Sequence, residues 1–360
     1  MNSTRLKVGL ICGGTSGEHQ VSLISAYHIQ KALDRNRFDV RMIGISQDGS
    51  WFLGDSENFL ENHEDVRKVA FTSSLPVTIP ERQSKAIRPE NTGSLDDIDV
   101  FFPITHGRLG EDGALQGLLE LAGKPYVGSD VYGSAICMDK DVCKRLLIQN
   151  DLPVVSYRVF RSGDFIDYEE LIWELGPTLF VKPCREGSSL GVSKVHNSRE
   201  FQAAIKDAFG IDRKIMIEKA VQGREIECSV LGNDSPKAAE VLGEIVPRHD
   251  FYSYEAKYVD DEGADLIIPA QIESKTSLKI REAAVEAFRC TECRGMARVD
   301  FFLNQDDKFF INEINTLPGF TSISMYPKLW EASGMSYSCL LYTSDAADEG
   351  LGVDLGGRRI

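Results

Sequence analysis

The first third of the chain alternates short apolar runs with a helical pattern. Leu6–Cys12, Phe38–Ile45 and Asp99–Ile104 are apolar runs, which is typical of buried parallel strands. Between the first two, Val21–Leu33 places apolar residues at helical spacing. The polar residues 54–96 show weak periodicity and predict a loop-rich segment. The pattern therefore predicts an N-terminal α/β domain with a parallel sheet, ending near residue 128.

Beyond residue 128 the pattern still mixes helices and strands. Helices are predicted for Ser134–Gln149, Tyr168–Leu175 and Ser277–Cys290, and strands for Val154–Phe160, Leu179–Pro183, Ile215–Lys219, Glu244–Pro247 and Ile267–Pro269. Between the last two strands, residues 250–263 form an aromatic-rich polar segment that we interpret as a candidate lid over a reaction site.

Two largely apolar runs, residues 298–303 and 309–315, flank the polar turn Asn304–Lys308 and predict a β-hairpin. Alternation places Arg298 and Asp300 on one face of the first strand, and Glu313 and Asn315 on one face of the second. Such polar groups need compensation if they are buried, and a hard divalent cation such as Mg²⁺ provides it with oxygen ligands. The alternative is an acidic strand pair facing solvent, against which the apolar neighbours argue.

A lysine and a glycine-rich turn lie close together in the middle of the chain. Lys182 stands inside an apolar strand, an unfavourable place unless an anion meets it. The following segment 185–192 is rich in glycine and serine, and the backbone N–H groups of such a hairpin can cover phosphates. Together they favour a nucleotide-binding site.

Two residues of the N-terminal region are candidates for a site, each with a structural alternative. Glu18 follows a glycine turn at the entrance of the first helix, where the helix dipole alone would favour an acid. His106 lies at the carboxyl end of a strand, where α/β folds place ligands, and a purely structural histidine is equally compatible with that position. The glycines at 13, 14 and 17 do not fit the dinucleotide fingerprint, which argues against a nicotinamide cofactor.

The composition narrows the class of protein. The formal net charge is −15 and the pI is about 5.0, which argues against a nucleic-acid partner. The chain shows no long apolar run and no signal-peptide pattern, so we expect no membrane association. Its eight cysteines are interpreted as reduced cytosolic thiols, and the lone pair Cys290 and Cys293 lacks the further ligands of a zinc site.

A set of short motifs is spread along the chain. The motifs are Glu18-His19-Gln20-Val21-Ser22, His106-Gly107-x-x-Gly110-Glu111-Asp112-Gly113, Met138-Asp139-Lys140, Val181-Lys182-Pro183, Glu186-Gly187-Ser188-Ser189, Lys257-Tyr258, Arg298-x-Asp300 and Asn312-Glu313-x-Asn315-Thr316-x-Pro318-Gly319. Each motif alone is weak, but the set is specific. In content and order it resembles the motifs of the ATP-grasp enzymes, and most closely those of the D-alanine–D-alanine ligases.

The resemblance implies an α/β (α+β) chain with the ATP-grasp fold. In this division the N-terminal parallel-sheet α/β domain (1–128) precedes a central ATP-grasp subdomain (129–218) and a C-terminal one (219–342). Residues 343–360 depart from the family, being rich in glycine and acids, and we expect them to form a poorly ordered tail.

The resemblance also implies a reaction, in which ATP phosphorylates one D-alanine and the amine of a second attacks the acylphosphate. It implies D-alanine and ATP as partners, two Mg²⁺ (or Mn²⁺) ions, a homodimer and a cytoplasmic location.

The site residues implied by the resemblance fall into four groups. Asp300, Glu313 and Asn315 would hold the metal ions, and the residues that would bind ATP are Lys140, Lys182, Ser189, Glu218, Lys219, Glu225 and Lys257. Glu18, with Ser188 and Tyr258 hydrogen-bonded to it, would bind the first ammonium group, while Arg298 and the backbone N–H of Gly319 would stabilise the oxyanion. His106 would lie near the first substrate, and Ser324 and Met325 would hold the carboxylate of the second.

Three alternatives stay open at this point. Tyr258 favours an amine as the second substrate, but a D-alanine–D-lactate ligase or another ATP-grasp carboxylate–amine ligase is the nearest rival. A nucleotide-binding protein without catalysis belongs to a different class. It would be expected to lose a metal ligand or Arg298, and the sequence retains all of them.

Overall fold

The computed structural model describes residues 5–54, 58–72, 75–77, 94–248 and 263–343. It is a mixed α/β protein, as predicted. The elements of the N-terminal part are β1 Leu6–Gly13, α1 His19–Ala32, β2 Phe38–Ile45, β3 Trp51–Gly54, β4 Leu60–Glu61, β5 Ala70–Phe71, β6 Leu75–Pro76, β7 Val100–Pro103 and α2 Ala114–Leu121.

The first sheet has the strand order β6-β3-β2-β1-β7. At its centre β1 pairs in parallel with β2 and with β7, while β3 and β6 add an antiparallel edge. The prediction of a parallel sheet is therefore confirmed. The prediction of a loop-rich segment over residues 54–96 missed three short strands, β4, β5 and β6, whose few residues show no periodicity to detect.

The central part forms an antiparallel sheet with the order β10-β9-β11-β8. Its elements are α3 Val131–Met138, α4 Lys140–Gln149, β8 Tyr157–Arg161, α5 Tyr168–Leu175, β9 Leu179–Pro183, β10 Ser193–Val195, α6 Ser198–Ile211 and β11 Lys214–Lys219.

One prediction for this part was wrong in detail, and one helix was missed. The single helix Ser134–Gln149 is two helices, because Asp139 adopts an extended backbone that ends α3 and its side chain accepts a hydrogen bond from Val142 N at the start of α4. Helix α6 was not predicted, although its start carries two capping hydrogen bonds. Glu200 N donates to Asn197 Oδ1, and His196 N donates to Glu200 Oε2.

The C-terminal part forms a second antiparallel sheet, with the order β15-β14-β12-β16-β17 and β13 paired to β12. The hairpin of β16 and β17, with its turn at residues 304–308, is confirmed. The elements of this part are β12 Arg224–Gly232, β13 Lys237–Ala238, β14 Gly243–Pro247, β15 Ala264–Ile267, α7 Ser274–Cys290, β16 Gly295–Leu303, β17 Phe309–Asn315, α8 Met325–Ala332 and α9 Tyr337–Thr343.

The last two helices connect the C-terminal sheet to the N-terminal domain. Tyr326 of α8 and Leu340 of α9 are buried in the same core as Leu23 and Ile29 of α1. The expected tail beyond α9 lies outside the described residues. Within the described ranges, no helix combines the length and apolar character needed to cross a membrane.

Candidate active site

The carboxylate of Glu18 lies at the start of α1, between two glycine-containing loops. Ser188 Oγ donates a hydrogen bond to Glu18 Oε1, whereas Glu18 makes no capping hydrogen bond to its own helix. A Cβ atom at Gly187 would lie 2.9 Å from Glu18 Oε2, and one at Gly107 would lie 3.1 Å from it. The glycines thus allow both loops to approach the carboxylate closely. The structure brings Glu18 and Ser188 together, while Tyr258 lies outside the described residues.

His106 follows β7 and is buried, with 5 % of its surface exposed. Its Nδ1 lies 3.1 Å from the carbonyl oxygen of Leu317, which can only accept, so Nδ1 carries the proton. Burial lowers the pKa of His106, although Glu18 opposes the shift, and the ring is neutral at pH 7. Its buried Nε2 has no hydrogen-bond partner in the described ranges and is left as an acceptor beside the Glu18 pocket.

Glu111 is a site residue that the sequence analysis missed, although it belongs to a recognised motif. Gly107 N–H donates to Glu111 Oε1 at 2.8 Å. Burial raises the pKa of Glu111 to about 8, the nearby Glu18 carboxylate adds to the rise, and the Gly107 hydrogen bond opposes it. The side chain is therefore mostly protonated at neutral pH. Sequence spacing does not reveal that these two acids meet.

A cleft of about 680 Å³ lies between the central and C-terminal sheets. Apolar side chains such as Phe180 and Phe302 line it and offer surfaces for a planar base. Of the residues predicted to bind ATP, Lys257 lies outside the described residues. All the others line the cleft: Lys140, Lys182, Ser189, Glu218, Lys219 and Glu225.

Glu218 lies between two lysines at the floor of the cleft. Its Oε1 is 2.8 Å from Lys144 Nζ and its Oε2 is 2.5 Å from Lys182 Nζ. Burial would raise the pKa of Glu218, but the two ammonium groups lower it overall. Burial lowers the pKa of Lys182, and Glu218 opposes that shift. Lys144 was not predicted as a site residue, although it lies one helical turn from Lys140.

Lys140 bridges the two sheets at the edge of the cleft. Its ammonium donates a hydrogen bond to the carbonyl oxygen of Glu186 at 2.7 Å and forms an ion pair of 3.2 Å with Glu313 Oε2. Burial would lower the pKa of Lys140, but Glu313 outweighs it and raises the pKa overall. The side chain therefore stays charged and joins the central subdomain to the hairpin.

The hairpin of β16 and β17 presents the four predicted polar residues on one face. Arg298 pairs directly with Asn315, and Asp300 with Glu313. Asn315 Nδ2 donates to Asp300 Oδ2 at 3.0 Å. The predicted alternation is therefore confirmed. Glu227 of β12, which the sequence analysis missed, lies 3.0 Å from Arg298 Nε.

A β-bulge lies beside this cluster. The register shifts between Asp300 and Phe301, which leaves Asn312 unpaired in the ladder. Asn312 and Glu313 consequently both line the cleft. The buried Asn312 Oδ1 has no hydrogen-bond partner in the described part of the chain. The bulge therefore places an additional amide oxygen, able to accept a hydrogen bond or bind a cation, next to the carboxylates.

The loop after β17 brings the remaining predicted residues together. A Cβ atom at Gly319 would lie 2.7 Å from Ser324 Oγ, which also accepts a hydrogen bond from Thr321 N at 2.9 Å. Met325 begins α8 and is buried. Because His106 also contacts this loop through Leu317 O, the segment lies beside the pocket around Glu18 and His106.

Two family models cover most of the chain. The model described as D-ala D-ala ligase N-terminus matches residues 7–129, and the model described as D-ala D-ala ligase C-terminus matches residues 146–343. The chain belongs to the D-alanine–D-alanine ligase family. Its parallel-sheet domain followed by two antiparallel sheets is accordingly the ATP-grasp fold of this family.

Named relatives and solved structures agree with this family. The chain is 52% identical to the D-alanine–D-alanine ligase of Oceanobacillus iheyensis over 340 residues, covering 93% of each. It is 49% identical to D-alanine–D-alanine ligase A of Salmonella typhimurium, covering 94% of each. The ligase structure from Coxiella burnetii has a TM-score of 0.81 and 36% identity, covering 98% of this chain and 94% of that one.

A ligase with a different second substrate is also structurally similar. The VanG D-Ala:D-Ser ligase from Enterococcus faecalis has a TM-score of 0.79 and 35% identity, covering 94% of this chain and 98% of that one. The fold therefore does not by itself fix the second substrate.

Proposed function

We propose that this protein joins two molecules of D-alanine into D-alanyl-D-alanine, with conversion of ATP to ADP and phosphate, for peptidoglycan precursor synthesis. The family membership supports this function. The structural observation that carries it is the loop between β9 and β10, which serves two pockets. Gly187 lines the nucleotide cleft and approaches Glu18, while Ser188 donates to the Glu18 carboxylate. A substrate held at Glu18 therefore lies beside the triphosphate.

The chemistry requires activation of a carboxylate, because its oxygen is a poor leaving group. A carboxylate oxygen of the first D-alanine attacks the γ-phosphorus and ADP departs, leaving an acylphosphate. The amine of the second D-alanine then attacks the carbonyl carbon, and phosphate departs. Negative charge accumulates on the transferred phosphoryl group and on the tetrahedral oxygen, so fixed cations and N–H donors stabilise both steps.

The proposed roles follow the two pockets. In the nucleotide cleft Lys140 and Lys182 neutralise the phosphates, the backbone around Ser189 covers them, and Glu218, Lys219 and Glu225 seat the adenine and ribose.

In the substrate pocket Glu18 binds the first ammonium group and His106 lies against that substrate. Arg298 and the Gly319 backbone N–H stabilise the tetrahedral oxygen, and Ser324 with the Met325 backbone holds the second carboxylate. Tyr258 and Lys257, which we also assign to the closed site, lie outside the described residues.

The hairpin has the chemistry of a divalent-metal site. Asp300 and Glu313 oppose each other across the strands, and the buried Asn312 oxygen lacks a partner in the described ranges. Carboxylate and amide oxygens are the donors that Mg²⁺ and Mn²⁺ prefer, so the residues fit. We propose that Asp300, Glu313 and Asn315 hold two such ions, which would neutralise charge on the ATP phosphates.

We also propose that the protein acts in the cytoplasm. The eight cysteines are free thiols, which agrees with a reducing cytoplasm. A homodimer, and the division into 1–128, 129–218, 219–342 and 343–360, stay predictions.

A phosphate-release assay tests the function. We expect the purified protein with ATP and Mg²⁺ to release phosphate in the presence of D-alanine and to form the dipeptide. Matched reactions that add D-serine or D-lactate to limiting D-alanine test the nearest alternatives. Turnover with D-lactate and none with D-alanine at neutral pH would overturn the assignment.

A further inference from the structure

The buried ammonium group of Lys214 lies at the start of α4. Its Nζ is 2.6 Å from each carboxylate oxygen of Asp139 and 3.0 Å from Asp141 Oδ2. Lys214 is 4 % exposed, and a buried charge is tolerated only with partners such as these. The reaction proposed above uses none of the three side chains, so their arrangement needs another explanation.

Lys214 reaches Lys140 by two routes. Through its side chain, it holds Asp139, the residue before Lys140, which also caps α4 through Val142 N. Through its backbone, Lys214 O accepts a hydrogen bond from Cys184 N at 3.0 Å, and Cys184 O accepts one from Lys140 N at 3.0 Å. The two routes close a ring of contacts around the backbone of Lys140.

We propose that Lys214 is a positioning residue for ATP, because it fixes the start of α4 and thereby the place at which Lys140 presents its ammonium group. The inference rests on the proposed role of Lys140 in binding phosphate. Without Lys214, Asp141 keeps its ion pair with Arg145, but Asp139 loses its ammonium partner and the start of α4 would shift. A displacement of about 1 Å remote from the reacting atoms can cost about 100-fold in rate.

Lys214→Met tests the proposal, because it should change the KM for ATP but not the KM for D-alanine. We expect the KM for ATP to rise by about 10- to 100-fold, while the KM for D-alanine changes by less than about twofold. Lys214→Arg should restore part of the ATP affinity because it keeps the charge. Lys206→Met, which changes an exposed lysine of the same subdomain, should leave both constants unchanged.

A second variant guards against misfolding of the first. Asp139→Asn keeps a good helix cap and removes the charge next to Lys214, so it should raise the KM for ATP in the same direction. Unchanged ATP constants in both Lys214→Met and Asp139→Asn would overturn the inference.

The double variant Lys140→Ala/Lys214→Met tests whether Lys214 acts through Lys140. We expect it to be no worse than Lys140→Ala, whereas multiplied effects would show independent action and overturn the inference. If Lys140→Ala itself binds ATP normally, the proposed role of Lys140 fails and the inference with it. An impaired Lys140→Ala beside normal Lys214→Met and Asp139→Asn would overturn the inference alone.

Discussion

Arg298 and Asp300 share one face of β16, and the guanidinium donates two hydrogen bonds of 2.7 Å to the carboxylate. The pair combines the proposed oxyanion donor with a proposed metal ligand. Each side chain therefore fixes the other, and Glu227 supports the arginine from the neighbouring strand at 3.0 Å. Because of this second carboxylate, Arg298 keeps a partner when Asp300 is removed.

Replacement of Asp300 by alanine should abolish turnover while the fold is retained. The change removes a proposed metal ligand, and we expect phosphate release to fall by about 1,000-fold or more. Glu313→Ala should behave in the same way. Asp306→Ala, in the exposed turn of the same hairpin, is the matched control and should turn over normally. Substantial turnover by Asp300→Ala, with a normal melting curve, would contradict the proposed metal site.

Replacement of Ser188 by alanine should affect the first D-alanine rather than ATP. The hydroxyl group donates to the Glu18 carboxylate, and hydrogen bonds to charged groups contribute about 1.5–3 kcal/mol. We expect the KM for D-alanine to rise by about 10-fold or more. Ser189→Ala is the matched comparison, because Ser189 lines the nucleotide cleft and is assigned there through its backbone, so its KM for D-alanine should stay unchanged. Identical effects of the two variants would argue against the assignment of adjacent serines to different pockets.

Replacement of Gly187 by alanine should impair the use of both D-alanine and ATP. An added Cβ atom would lie 2.9 Å from Glu18 Oε2, closer than packing permits, so either the Glu18 carboxylate or the loop that also lines the cleft would have to shift. We expect kcat/KM to fall for D-alanine and for ATP. Gly210→Ala is the control, because an added Cβ atom there meets nothing within 4 Å. Normal constants for Gly187→Ala would show that the loop adapts without loss of function.

Local sequence patterns predicted the helices and strands better than they predicted which side chains contact one another. Alternation along Arg298–Asp300 and Glu313–Asn315 was enough to place these side chains on one face, because the strand period is fixed by the backbone. The bulge at Asn312 was not predictable, since it depends on the register of the pairing strand. The same holds for Lys144 with Glu218, which meet only when α4 packs on the central sheet.

Glu111 should make stability depend on pH in a defined direction. Its pKa is about 8 in the folded protein against the ordinary 4.5, so between these values the folded state binds more protons than the unfolded state. The contribution of Glu111 to the free energy of unfolding is therefore fully present below about pH 4.5 and is lost as the pH rises to about 8. Glu111→Gln cannot ionise, so its melting temperature should rise relative to the original protein across this window. Thermal melts at intervals between these pH values measure the difference, with Glu282→Gln, an exposed change, as the control. A difference that stays constant with pH would show that Glu111 titrates at its ordinary value.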